Sequence, residues 1–202
     1  MKKIMMTLAA AVVAMSASAQ VYLGGNIGFN STSDKTNPAA EKTSTMFQIN
    51  PEIGYSLNDK WGVGVELGFR TTTDKTENPS ANTSNKATTT RFHIKPYARY
   101  QAFSFGKANV FVDGGLNFAT ESQKDMKAAL DFGLFVTPGI AFNVTEKWSI
   151  VAKLNDMFTL GYHKDAIADV PNAPSAPSQF NANIATGGFN VGALTFGVYY
   201  NF

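Results

Sequence analysis

The sequence has no cysteine. That excludes a disulfide framework, a thiol nucleophile and the cysteine to which an acyl anchor is attached. It has no run of 18 consecutive apolar residues, so no transmembrane helix is expected. It has only two histidines, and no His/Asp/Glu group falls at metal-ligand spacing. No metal and no cofactor are expected. Gly24-Gly25-Asn26-Ile27-Gly28 lies within an alternating stretch, which excludes a phosphate-cradling loop. An excess of one charge sign is also missing once the first residues are set aside. Lys2 and Lys3 precede an apolar stretch from Leu8 to Met15 and the small-residue signature Ala17-Ser18-Ala19. This reads as a Sec-type signal peptide over residues 1–19. Of 17 basic residues, 17 less 2 leaves 15 against 15 acidic ones, so the mature chain is neutral. No nucleic-acid partner is expected from such a balance. Export without a helical anchor leaves a soluble exported protein or a membrane β-barrel.

What the sequence does have is alternation. Leu194, Phe196, Val198, Tyr200 and Phe202 alternate with Thr195, Gly197, Tyr199 and Asn201. A period of two with one wholly apolar face is a strand. The same pattern recurs over 21–30, 47–56, 61–70, 91–100, 110–118, 130–143 and 148–155, while 189–202 reads as the last strand with a bulge near Gly192. Residues 31–44, 71–89 and 163–183 are long and polar and read as loops. Asn58 to Lys60, Phe103 to Lys107 and Thr145 to Lys147 read as short turns, and 121–127 as an intermediate loop. Long loops on one side and short turns on the other predict an all-β fold: an eight-stranded antiparallel up-and-down transmembrane β-barrel over residues 20–202. The short turns would then face the periplasm. One hairpin is repeated. Pro51 to Trp61 and Pro138 to Trp148 match at a constant offset of 87, with Ile53/Ile140, Tyr55/Phe142 and Lys60/Lys147 in register.

The two faces of the strands differ in a further respect. On the apolar face, Tyr55, Trp61, Tyr100, Phe142, Trp148, Tyr200 and Phe202 gather toward the short turns, and Phe29, Phe47, Phe69, Phe92, Phe118 and Phe132 toward the long loops. Aromatics at both ends of an apolar band are the pattern of two membrane interfaces. The other face carries Glu52, Glu66, Arg91, His93, Lys95, Arg99, Asp113, Asp131 and Lys153 among many glycines. Toward lipid, each Arg or Lys at the midplane would cost ~2–4 kcal/mol. Inside the barrel they can pair, and Glu66 with Lys95 or Arg99 is the expected pairing. An eight-stranded barrel is just wide enough for side chains to fill it, so a charge network in its interior predicts a plugged barrel without a wide pore.

The leader, the eight alternating strands, the asymmetry of the connections and the ending Phe196-Gly-Val-Tyr-Tyr-Asn-Phe202 resemble the small outer-membrane β-barrel family, of OmpX type and of the OmpA transmembrane-domain type. The resemblance implies residence in the outer membrane of a Gram-negative-type cell, contact with outer-membrane lipid and a monomeric state. It also implies that Val198, Tyr200 and Phe202 form the signal read by the barrel assembly machinery. The expected role is structural or surface-interacting, with an extracellular partner met through the loops. No catalytic residues are assigned. The alternatives are a porin-like small-solute channel and a lipid-modifying enzyme, for which His163, Asp165 and a loop serine such as Ser175 are the residues to consider.

Overall fold

The computed structural model describes residues 21–34, 36, 41–78, 83–154, 157–168, 175–184 and 194–202. The signal-peptide segment and the bulge expected near Gly192 lie outside the described residues. Every regular element among the described residues is a strand: β1 (Val21–Asp34), β2 (Glu41–Ser56), β3 (Trp61–Asn78), β4 (Thr83–Phe105), β5 (Ala108–Gln123), β6 (Met126–Lys127), β7 (Ala129–Asn143), β8 (Trp148–Leu154), β9 (Phe158–Lys164), β10 (Ile167–Ala168), β11 (Ser178–Ile184) and β12 (Leu194–Asn201). All pairings are antiparallel, each strand from β1 to β4 pairs with the next, and β5 pairs with β7. β12 joins β8 to β1, with Tyr22 opposite Asn201 and Asn26 opposite Gly197, and this closes the sheet on itself.

The barrel has eight spans because two of them are interrupted. β7 pairs with β9 through Leu130 to Val136 and with β8 through Gly139 to Asn143. Between these stretches three steps on β7, from Val136 to Gly139, face five on its partner, from Phe158 back to Lys153. The partner therefore has two more residues than β7 over this stretch, which is why the alternation fades there in the sequence. β11 and β12 pair in the same way with β9 and β8 and make up the last span.

The polar stretches read as loops are largely strand. β1 and β2 stay paired out to Asp34 and Lys42, and β3 and β4 out to Asn78 and Thr83. Residues 163–183 likewise contain the end of β9, all of β10 and most of β11, while β4 runs on to Phe105 where a turn was expected. Polarity was mistaken for loop character. The segments are rich in threonine, whose branched Cβ suits a strand, and Thr72 faces Thr89 and Thr73 faces Thr88 across the hairpin.

The interior is organised by rings lying on glycines. Tyr22, Tyr97, His93, Phe111 and Tyr199 point inward and stand directly across from Gly54, Gly64, Gly68, Gly139 and Gly24. A Cβ on Gly54 would lie 2.1 Å from the Tyr22 ring, and one on Gly64 would lie 2.3 Å from the Tyr97 hydroxyl. Glycine is needed there because a neighbouring ring fills the space a side chain would use.

The repeated hairpin is a repeat in three dimensions. Val21 faces Tyr55 as Ala108 faces Phe142, again at an offset of 87. Asn58 Oδ1 accepts from the Lys60 and Trp61 amides at 2.9 Å, and Thr145 Oγ1 accepts from the Lys147 and Trp148 amides at 3.2 and 3.0 Å. The Gln101 amide donates to Lys60 O at 2.8 Å, and the Asn201 amide to Lys147 O at 2.7 Å. Trp61 packs on Tyr100 at 4.9 Å between ring centroids, and Trp148 on Tyr200 at 5.0 Å. The two turns lie four spans apart on the ring, on opposite walls.

Candidate functional site

The inward phase of β2, β3, β4, β5 and β8 delivers charged residues to the middle of the barrel. Glu52 on β2 is 2 % exposed and Asp113 on β5 is 1 % exposed. Charges this deep persist only if donors and acceptors surround them. Glu52 accepts from the Tyr97 hydroxyl, from Arg99 Nη2 at 3.0 Å, from the Tyr199 hydroxyl at 2.9 Å and from Lys153 Nζ at 2.6 Å. Arg99 binds Asp113 with two parallel bonds, Nε to Oδ1 at 2.6 Å and Nη2 to Oδ2 at 2.7 Å. Its guanidinium lies 3.9 Å from the centre of the Phe111 ring. Lys153 also reaches Asp113 at 3.3 Å and Glu66 at 3.6 Å. Tyr22 and Tyr97 share a hydroxyl–hydroxyl bond of 2.6 Å.

Of the two partners expected for Glu66, Lys95 stands directly across from it and Arg99 turns to Asp113. Arg99 stands directly across from Asp113, and its planar fork fits that carboxylate bidentately. Glu66 instead meets His93 Nε2 at 3.2 Å and Lys153 from the opposite wall. Lys95 is the direct cross-strand neighbour of Glu66, and its ammonium stands 5.2 Å from the centre of the Phe135 ring. Tyr22, Tyr97 and Tyr199 were not singled out from the sequence. Their signal was there, since Tyr97 shares the phase of the charges on β4 and Tyr22 and Tyr199 share the phase of the glycines and asparagines on their strands, but tyrosine was assigned only to the interfaces.

Arg91 sits higher, apart from this cluster. At the long-loop mouth its Nη1 reaches Asp131 at 2.6 Å and Glu121 at 3.6 Å. His163 completes the group, with Nδ1 on Asp131 and Nε2 on Asp165 at 2.9 Å. The Asp131–His163 pair lies one residue beyond the outward Phe132–Tyr162 pair, above the membrane-facing band. Hydrogen bonding to Asp131, and then to Asp165, raises the His163 pKa above its ordinary 6.5. Both ring nitrogens can donate only in the imidazolium. Ser175 is exposed and, among the described residues, no serine bonds to His163.

The aromatics assigned to the interfaces lie on the outer face. Trp61, Tyr100, Phe142, Trp148 and Phe202 are 36–50 % exposed at the short-turn end. Tyr55 and Tyr200 beside them are half-buried. At the other end Phe29 faces Phe47, Phe69 faces Phe92, and Phe118, Phe132, Tyr162 and Phe180 follow one another across four spans. Tyr162 and Phe180 were missed in the sequence because the interruption at 154–157 and the supposed loop hid their phase.

Among the described residues, cavities open at both mouths and small voids lie between them. A cavity of about 290 Å³ opens at the long-loop mouth among Arg91, Asn117, Asp131, Thr159 and His163. One of about 440 Å³ opens at the short-turn mouth. Between them two voids of about 10 Å³ each lie against Glu66, Lys153 and Asp113, and against Glu52 and Lys153. Such a void is about one water in size.

A model of the family described as "Outer membrane protein beta-barrel domain" matches residues 4–202. No curated protein sequence matches the chain. Among solved structures, the outer membrane protein OprG from Pseudomonas aeruginosa aligns with a TM-score of 0.50 at 12 % identity, covering 91 % of this chain and 96 % of its own. That likeness is one of fold. Neisserial surface protein A (TM-score 0.43, 15 % identity, 92 % and 98 % covered) and outer membrane protein W of E. coli (0.41, 13 %, 91 % and 97 %) are also similar.

Two outcomes test this geometry. Glu52→Ala leaves the buried Arg99 and Lys153 with one of their two shared carboxylates, and the expected loss is about 3–5 kcal/mol. Urea unfolding in lipid vesicles measures it, and an unchanged midpoint would remove Glu52 from the centre of the network. The second outcome concerns His163. Its folded pKa is raised, so the clasp contributes fully below the ordinary value and is lost as pH rises through the folded one. An NMR titration of the imidazole should show a midpoint above 6.5, and Asp131→Asn should lower it.

Proposed function

The chain belongs to the outer membrane protein β-barrel domain family, and from that premise we propose that it is a non-enzymatic, non-conducting barrel that holds a polar β-sheet out from the cell surface. The observation that carries this reading is the cross-barrel network around Glu52, which among the described residues has two water-sized voids of about 10 Å³ beside it between the two mouths. Ions would have to break buried, mutually hydrogen-bonded charges to pass. The surface role is supported by strand length. Crossing a membrane takes ~9–11 tilted residues. β3 has 18 and β4 has 23, and they stay paired beyond the outward Phe69–Phe92 pair as far as Asn78 and Thr83. In this reading the long hairpins are extracellular and offer threonine, serine, asparagine and lysine to a surface partner. The short turns lie in the periplasm, residues 1–19 are the removed leader, and the barrel is a monomer. The lipid-modifying reading finds little support, since carboxylates occupy both ring nitrogens of His163.

The deciding experiment is a conductance trace of the refolded barrel in planar bilayers. Silence is the expected result, and discrete steps would make it a channel for small solutes. Val198, Tyr200 and Phe202 are proposed, by family, as the segment read during assembly. Deleting Phe202 should lower outer-membrane levels in cells while the protein refolded in detergent keeps its β-sheet spectrum and melting profile. Normal insertion of the deletion variant would remove the segment from that role.

A further inference from the structure

β6 and β10 stand outside the barrel sheet. Among the described residues they pair only with each other, Ile167 across from Lys127 and Ala168 across from Met126. β6 lies in the connection from β5 to β7, and β10 in the connection from β9 to β11. Because β7 pairs with β9, this short ladder straps together the two connections that meet that pair at the long-loop mouth. Two residue pairs make a marginal ladder by themselves. Asp125, just before β6, sits in the left-handed region at φ 62°, where a residue other than glycine is uncommon. Asp165, two residues before β10, is held by two bonds. Its amide donates to Pro177 O at 2.9 Å, and its carboxylate meets His163 Nε2 at 2.9 Å.

The charges around His163 decide which bond goes when a proton is lost. Asp131 on β7 faces Nδ1, and Arg91 on β4 holds the other oxygen of that carboxylate at 2.6 Å. Glu121 on β5 reaches the same arginine at 3.6 Å. On the other side β11 places the neutral Gln179 across from His163. Lys164 takes the outer phase of β9, across from Leu130 and Ser178, and Lys127 belongs to the strap. Only the imidazolium donates to Asp131 and Asp165 together. The neutral ring has one N–H, and Asp131 keeps it because Arg91 fixes that carboxylate in place. Nε2 then turns a lone pair toward the Asp165 carboxylate, acceptor against acceptor, and that contact is lost.

We propose that His163 is a proton-operated latch on this strap: charged, it holds Asp165 and keeps β6 and β10 in place; neutral, it keeps Asp131 and lets the strap go. The hydrogen bond to Asp131 is the first cause of the raised His163 pKa, and it sets the direction. The strap is held fully below the ordinary value of 6.5 and is released as pH rises through the folded one. The long-loop end is therefore ordered in acid and loosened in alkali. The latch goes beyond the surface role and holds whether or not the barrel conducts.

The test uses the full barrel in lipid nanodiscs and follows methyl resonances, which do not exchange with water. Met126 and Ile167 report on the strap, and Ala87 on the β3–β4 hairpin is the control. The pH is raised from about 5 to about 10, across the ordinary histidine value, and the His163 imidazole is titrated in the same sample. The mobile population of the strap, read from methyl relaxation, should rise about fivefold, the size of one exposed ion pair. Its midpoint should coincide with that of His163. His163→Gln cannot change charge and should remove the pH dependence. Asp165→Ala removes the acceptor and should leave the strap mobile throughout, while His163 still titrates on Asp131. Where a variant loses its β-sheet spectrum, the coincidence of midpoints in the parent decides alone. The proposal is overturned if the strap methyls keep one mobility across the range, or if their midpoint departs from that of His163. It is equally overturned if the change survives in a folded His163→Gln or Asp165→Ala barrel, or if Ala87 moves in parallel.

Discussion

A carboxylate at the centre of a lipid-embedded barrel has no bulk water to turn to, and Glu52 answers this by taking bonds from four side chains on three other spans. Tyr97 and Arg99 come from β4, Lys153 from β8 and Tyr199 from β12. No single strand can supply that set, so the network exists only when the barrel is closed. The same contacts fix the rotation of each strand about its axis. A one-residue slip would send Glu52, Arg99 or Lys153 to the lipid face. Plugging and register are therefore consequences of one interaction. Asp113 and the Phe111 ring extend it by holding the Arg99 guanidinium from the side and from its face.

Room for this network comes from the inward glycines. The five inward rings each lie over a glycine of the adjoining strand, which lets polar tips reach the axis while ring faces pack on backbone. The hairpin repeat then places comparable turns and comparable Trp–Tyr pairs on opposite walls. The two halves differ where it matters for charge. Glu66 and Lys153 occupy equivalent positions 87 residues apart, and they meet across the barrel at 3.6 Å. Matching positions of the repeat supply opposite charges to one cluster.

Much of the barrel was legible because period-two alternation is a local property of the chain. Eight apolar faces, the sorting of Trp61, Tyr100, Trp148 and Phe202 toward one end, and the inward phase of Glu52, Arg99, Asp113 and Lys153 all follow from counting residues. Strand ends were not legible. Composition alone cannot separate a polar loop from a polar strand, and the Thr-rich reach of β3 and β4 becomes a sheet only because each strand has the other to bond to.

The sequence by itself therefore determined the architecture, the face of each well-alternating residue and the confinement of ionisable groups to the interior. Tertiary structure alone decided who meets whom. Glu66 takes Lys153 and His93 in place of Arg99, and Asp131 joins His163 and Arg91 from strands far apart in sequence. It also decided that β6, before β7, pairs with β10, after β9. The physical reason is closure: phase along a strand says which side a residue takes, while the partner it finds there depends on the stagger and curvature of the finished ring.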